Sequence, residues 1–192
     1  MTGATPRAVQ LADLQINVLD AGAGPPVLLL HGFPDSLELW REVTPRLMAA
    51  GHRVIAPDLR GFGDSHAPRG RRQYAMNVVL REIVALLEHL AVREPVRIMG
   101  HDWGAAIAWC LASASPERVA SSVVLSLGHP REYAWAGLEQ KRRGAYTLFW
   151  QLPGIAEVHG RRHGSPATRR RRVRRAPSGR RVTAPGRRAP PR

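Results

Sequence analysis

Five consecutive residues, Gly100-His101-Asp102-Trp103-Gly104, hold the most reactive arrangement in this 192-residue chain. Small residues two before and two after a reactive side chain mark a nucleophile elbow. This is a strand-to-helix turn so tight that only glycine-like neighbours fit around a strained central residue. The apolar run Val96 to Met99 leads in, and a helical pattern, Ala105 to Ala112, leads out. The central residue is aspartate, where such turns often carry serine. A serine must lose a proton before it attacks, whereas an aspartate is ionised at neutral pH and can attack carbon directly. The chemistry indicated is the opening of a strained or activated C–O or C–X bond through an alkyl-enzyme ester, and not ordinary ester hydrolysis.

The elements that must position this residue alternate in type. Gln15 to Asp20 reads as a short strand, and Val27 to Leu30 as a strand buried on both faces. Leu39, Val43, Leu47 and Met48 fall at helical spacing, with Gly51 closing that helix. Val54 to Ala56 is the next strand, followed by the glycine-punctuated loop Arg60 to Ser65. Met76, Val79, Leu80, Ile83, Leu87 and Leu90 form one helical face. Val119 to Leu127 reads as a further strand. Strands alternating with helices predict an α/β fold, a mostly parallel sheet with helices on both faces. Parallel sheets place ligands at the carboxyl ends of their strands. Three motifs fall there: His31-Gly32-Phe33-Pro34, the stretch Pro57 to Ser65, and the Asp102 elbow.

Together these motifs, HGFP, PDLRGFGDS and GHDWGA, resemble the soluble epoxide hydrolases of the α/β-hydrolase superfamily. Haloalkane and fluoroacetate dehalogenases share the aspartate nucleophile. The His before Asp102 and the Trp after it resemble the epoxide hydrolases most. The resemblance spans about residues 10–157. It implies Asp102 as nucleophile and the backbone N–H groups of Phe33 and Trp103 as the oxyanion hole. It implies a small apolar epoxide, or alternatively an alkyl halide, as substrate. It also implies a cap tyrosine pair as acid, and a late His with an orienting carboxylate as base. Residues 1–136 would be the N-terminal part of the hydrolase core, and 137–157 the start of a cap domain. The rest of the cap, the last two strands and their base have no counterpart in the sequence, so the chain is expected to be inactive or impaired.

Several other residues have two readings. His31 is expected to brace the oxyanion loop beside the substrate pocket. Asp35 either lines the pocket or caps the helix that follows. Trp40 is expected to pack, and Asp58, Arg60, Asp64 and Ser65 to form a structural loop signature. His129 lies near the mouth of the site. His101 reads as a core histidine with its hydrogen bonds satisfied. The His and Asp residues show no metal-ligand spacing, and Gly61 with Gly63 does not make a phosphate loop, so no cofactor is expected.

Charge is distributed unevenly. Residues 1–154 carry 16 Lys and Arg against 14 Asp and Glu, while residues 155–192 carry 13 Arg against one Glu. Residues 158–192 contain no aromatic residue and are expected to be disordered, since they cannot bury enough apolar surface to offset their ordering entropy. Arginine, proline, alanine and glycine in this mixture resemble GC-rich DNA read out of frame, and a frameshift near codon 158 is the expected origin. Thirteen arginines would also bind nucleic acid or anionic surfaces incidentally, by counterion release. The single cysteine, Cys110, makes no internal disulfide, which fits a cytoplasmic location. The apolar runs are strand-sized, so no membrane span is expected.

Overall fold

The computed structural model describes residues 5–12, 14–128 and 137. The expected cap start at 137–157 and the arginine-rich tail at 158–192 lie outside the described residues, Gly137 apart, as does His129.

Among the described residues six strands form one sheet. They are β1 (Arg7–Leu11), β2 (Leu14–Ala21), β3 (Pro26–Leu30), β4 (Arg53–Pro57), β5 (Val96–His101) and β6 (Val119–Leu125). Their spatial order is β1-β2-β4-β3-β5-β6. β1 and β2 form an antiparallel hairpin, and β2 runs antiparallel to β4. The pairings of β3 with β4, β3 with β5 and β5 with β6 are parallel. The sheet is therefore parallel where the three motifs sit and antiparallel at its first edge.

The central strand shows why the sheet is covered on both sides. All five residues of β3 are buried. Successive side chains of a strand point to opposite faces. Leu28 and Leu30 join a core with Ile83, Leu86 and Leu87 of α2 (Met76–His89) and Ile107 and Leu111 of α3 (Trp103–Ala114). Val27 and Leu29 face the other way, into a second core with Leu37, Trp40 and Val54. Leu47 and Met48 of α1 (Thr44–Ala49) pack against that second core. Trp40 is a packing residue, 3% exposed.

Three local features depart from the sequence reading. The helix expected through Leu39 to Met48 is split into a 3-10 turn, Leu37–Trp40, and α1. Pro45 at the start of α1 explains the break, since proline suits the first helical turn and not a helix interior. Ser36, and not Asp35, caps the 3-10 turn: its hydroxyl accepts the Glu38 N–H at 3.3 Å. The Asp35 carboxylate takes the N–H of Ser36 itself. β6 ends at Leu125, two residues short of the expected Leu127, because Ser126 turns to a positive φ of 67°.

A buried ion pair ties the loop after β4 to α2. The Arg60 guanidinium binds the Glu82 carboxylate and the Gln73 carbonyl, and both side chains are less than a tenth exposed. Burial raises the Glu82 pKa, with Arg60 pulling the other way. Desolvation thus outweighs attraction, and removing one partner strands a charge. Arg60→Met alone is expected to cost about 3–5 kcal/mol. The double change Arg60→Met with Glu82→Leu should cost clearly less than that single one. Urea melts of the three chains check this, and a double variant as unstable as the single would contradict it.

Candidate active site

The elbow is built where β5 ends. Asp102 links β5 to α3 in a left-handed backbone conformation, φ 53° and ψ −116°. A residue other than glycine held there stores strain, about 1–3 kcal/mol in general. Contacts on both sides hold it. Its N–H donates to the Leu125 carbonyl of β6 at 3.2 Å, and its carbonyl accepts the Ala105 and Ala106 N–H groups of α3.

The Asp102 carboxylate does not cap α3. Its Oδ1 instead accepts the backbone N–H of Phe33 at 2.9 Å. Sixty-nine residues separate the two in sequence, yet β3 and β5 are neighbours in the sheet, so the loops that follow them meet. Gly32 makes room for this. A Cβ added there would lie 2.4 Å from the Asp102 Cβ and 2.6 Å from its Oδ1. Trp103 is the first residue of α3, where backbone N–H groups lack intrahelical acceptors. Phe33 and Trp103 have large exposed side chains, 44% and 56%. Asp102 is thus half-buried, with its carboxylate against a backbone donor, and it lies next in sequence to the exposed Trp103.

His31 supports the donor loop from below. It is fully buried, and both ring nitrogens are engaged. Nε2 accepts the Leu59 N–H at 2.9 Å, which places the ring proton on Nδ1, 2.9 Å from the Gly32 carbonyl. Burial lowers its pKa below the ordinary histidine value of 6.5. An unfolded histidine binds a proton from about 6.5 downward, while the folded ring resists it. The unfolded state then holds more protons, so stability is full above that pH and falls as pH drops toward the native pKa. Melting curves from pH 7 to 5 should show this loss, with a slope of up to about 1.4 kcal/mol per pH unit from this one group. His31→Gln should be weaker at pH 8 and much less pH-sensitive. An equal slope in both chains would remove His31 as the cause.

The loop after β4 is organised by Asp58. Its carboxylate accepts the Leu37 N–H and the Asn17 side-chain amide, each at 2.8 Å, and the Asp64 N–H at 3.0 Å. The Ser65 hydroxyl donates to the Asp58 carbonyl at 2.7 Å and accepts the Asn17 N–H at 2.9 Å. Asn17 and Phe62 are the residues that sequence reasoning missed. Phe62 had a visible signal, an aromatic between two glycines. Its ring stands edge-on to His31 (centroids 5.4 Å apart) and to Phe33 (6.2 Å).

His101 departs from its expected satisfaction: it is half-buried, and its buried Nδ1 has no hydrogen-bond partner among the described residues. Asp35 is half-buried two residues beyond Phe33. Among the described residues, no three His, Cys, Asp or Glu side chains group as a metal site would require. No helix among them is long and apolar enough to cross a membrane.

Residues 25–174 match the family model described as the alpha/beta hydrolase fold. The chain belongs to the α/β-hydrolase family. Among its similar relatives is "Epoxide hydrolase 2" of Siraitia grosvenorii, 38% identical over 150 residues, covering 76% of this chain and 47% of that protein. "Epoxide hydrolase A" of Mycobacterium tuberculosis is 34% identical over 180 residues, covering 90% of this chain and 55% of the relative. A solved epoxide hydrolase from Vigna radiata superposes with a TM-score of 0.72 at 35% identity, covering 83% of this chain and 53% of its own. The chain spans about half the length of these relatives. The expected α/β-hydrolase sheet is thus the fold observed, and its three strand-end motifs touch one another through Asp102 with Phe33, Leu59 with His31, and Phe62 with Phe33.

Proposed function

We propose that this α/β hydrolase opens small apolar epoxides by forming an Asp102 ester. The observation that carries the reading is the Phe33 N–H held 2.9 Å from Asp102 Oδ1 at the strained elbow. With Oδ1 held by this donor, the other carboxylate oxygen attacks an epoxide carbon. The C–O bond of the ring breaks, and the alkoxide takes a proton from water. Oδ1 becomes the ester carbonyl oxygen, already seated against the donor. When water attacks that ester, negative charge grows on Oδ1, where Phe33 and Trp103 N–H groups would each contribute roughly 3 kcal/mol. The names of the similar relatives favour an epoxide over an alkyl halide.

No acid or base is assigned among the described residues. Both His31 nitrogens are committed to the loop, so this ring does not serve as base. Ester formation is therefore expected to outrun ester cleavage. Intact-mass analysis after incubation with an aryl epoxide should show one added epoxide mass, with diol no greater than one equivalent. Sustained diol release would overturn the reading of an impaired chain, and an unmodified mass would overturn the reading of Asp102 as nucleophile. A chloroalkane tested in parallel separates the dehalogenase alternative. The single Cys110 supports a reducing, cytoplasmic setting.

A further inference from the structure

We infer that Phe62 is a positioning residue for the Phe33 N–H donor, and so acts on Asp102 through Phe33. The inference rests on the proposed role of that donor. Phe33 lies in an exposed loop, and its N–H must still stay within hydrogen-bond distance of Asp102 Oδ1. Something must fix the loop's height above the sheet.

Phe62 meets the loop at two points. Its ring is edge-on to His31 at an interplanar angle of 75°, and to Phe33 at 80°. Edge-to-face pairs at such distances favour one mutual orientation, which a merely greasy contact does not. The ring also packs on the core that α2 and α3 share with the sheet. Its own loop is fixed on the far side. Phe62 N–H donates to the Leu59 carbonyl at 2.9 Å, Leu59 N–H donates to His31 Nε2, and Arg60 is bound to Glu82 of α2. The β4 loop, tied to α2, thus reaches the donor loop at His31, through the Leu59 N–H and the Phe62 ring, and reaches Phe33 itself through the Phe62 ring. Loss of the ring would remove its edge contacts to Phe33 and His31 and shift the donor, and a shift of about 1 Å is enough to cost on the order of 100-fold in rate.

The amide resonance of Phe33 reads this directly in nitrogen–proton correlation spectra. Its response to Asp102 is the change in its proton shift between the wild-type chain and Asp102→Asn, which should be large because the carboxylate accepts this N–H. Phe62→Ala should reduce the response by half or more while leaving the amides of β1 unchanged, and Phe62→Tyr should restore it. Phe62→Leu, which keeps apolar bulk without a ring edge, should behave like Phe62→Ala and serves if the alanine chain does not fold. The rate of adduct formation with an aryl epoxide should fall roughly tenfold or more in the same variants. A wild-type Phe33 response in Phe62→Ala or Phe62→Leu overturns the inference, as does a wild-type Phe33 amide that ignores Asp102. If the wild-type chain forms no adduct but the Phe33 response depends on Phe62, the chemistry fails and the positioning stands. If the adduct forms and the response is indifferent to Phe62, the positioning fails and the chemistry stands.

Discussion

Asp102→Asn is expected to abolish the epoxide adduct while leaving the melting curve of the chain unchanged. Asparagine has nearly the shape of aspartate and keeps an oxygen that can accept the Phe33 N–H held at 2.9 Å in the native site. The contacts that hold the strained turn, Asp102 N–H to Leu125 and its carbonyl to Ala105 and Ala106, are all backbone and survive the change. Only the negative charge is lost, and with it the carboxylate oxygen that would attack carbon in the proposed reaction. Removing the nucleophile of a serine hydrolase costs a factor on the order of 10⁶. On the timescale of an intact-mass experiment, that is no adduct. Peptide mapping of the wild-type product should place the added mass on the fragment containing Asp102. A variant that still gains the mass would move the nucleophile to another residue.

Gly104→Ala is expected to unfold the chain or lower its stability by roughly 3 kcal/mol or more, above the ordinary cost of overpacking. A Cβ at this position would lie 2.0 Å from the Leu30 carbonyl oxygen and 2.7 Å from that of His31. Both atoms are backbone, and Leu30 ends the most deeply buried strand, so neither can rotate aside as a flexible side chain could. The methyl group can be accommodated only if α3 lifts from β3, which would separate Asp102 from Phe33. Urea denaturation measures the loss. A stable Gly104→Ala chain with normal adduct formation would show that α3 does not need this close approach.

The site was legible wherever one residue type serves one backbone need. The small residues around Asp102 and the unbroken aliphatic run of β3 stated their structure in the sequence. So did the helical face from Met76 to Leu90. What escaped depended on contacts between distant segments. β1 buries only Val9 and Leu11, and its turn into β2 uses Ala12 at φ 36° where a glycine would have announced a hairpin. The Pro45 signal was present but outweighed by the apolar spacing around it. Asp35 and Ser36 are both capping residue types, and only the geometry of the loop chooses between them. The unpartnered Nδ1 of His101 depends on what surrounds it, which no local pattern encodes.

The placement of β3 between β4 and β5 also sets a schedule for synthesis. Val27 to Leu30 leave the ribosome early. Their second neighbouring strand is complete only at His101, about 70 residues later, which takes several seconds at roughly 5–20 residues per second. During that interval an apolar strand with one open flank waits inside a growing chain. A nascent-chain binding factor that favours short aliphatic segments would find its target there, and its time to act ends when the chain has been made as far as Asp102.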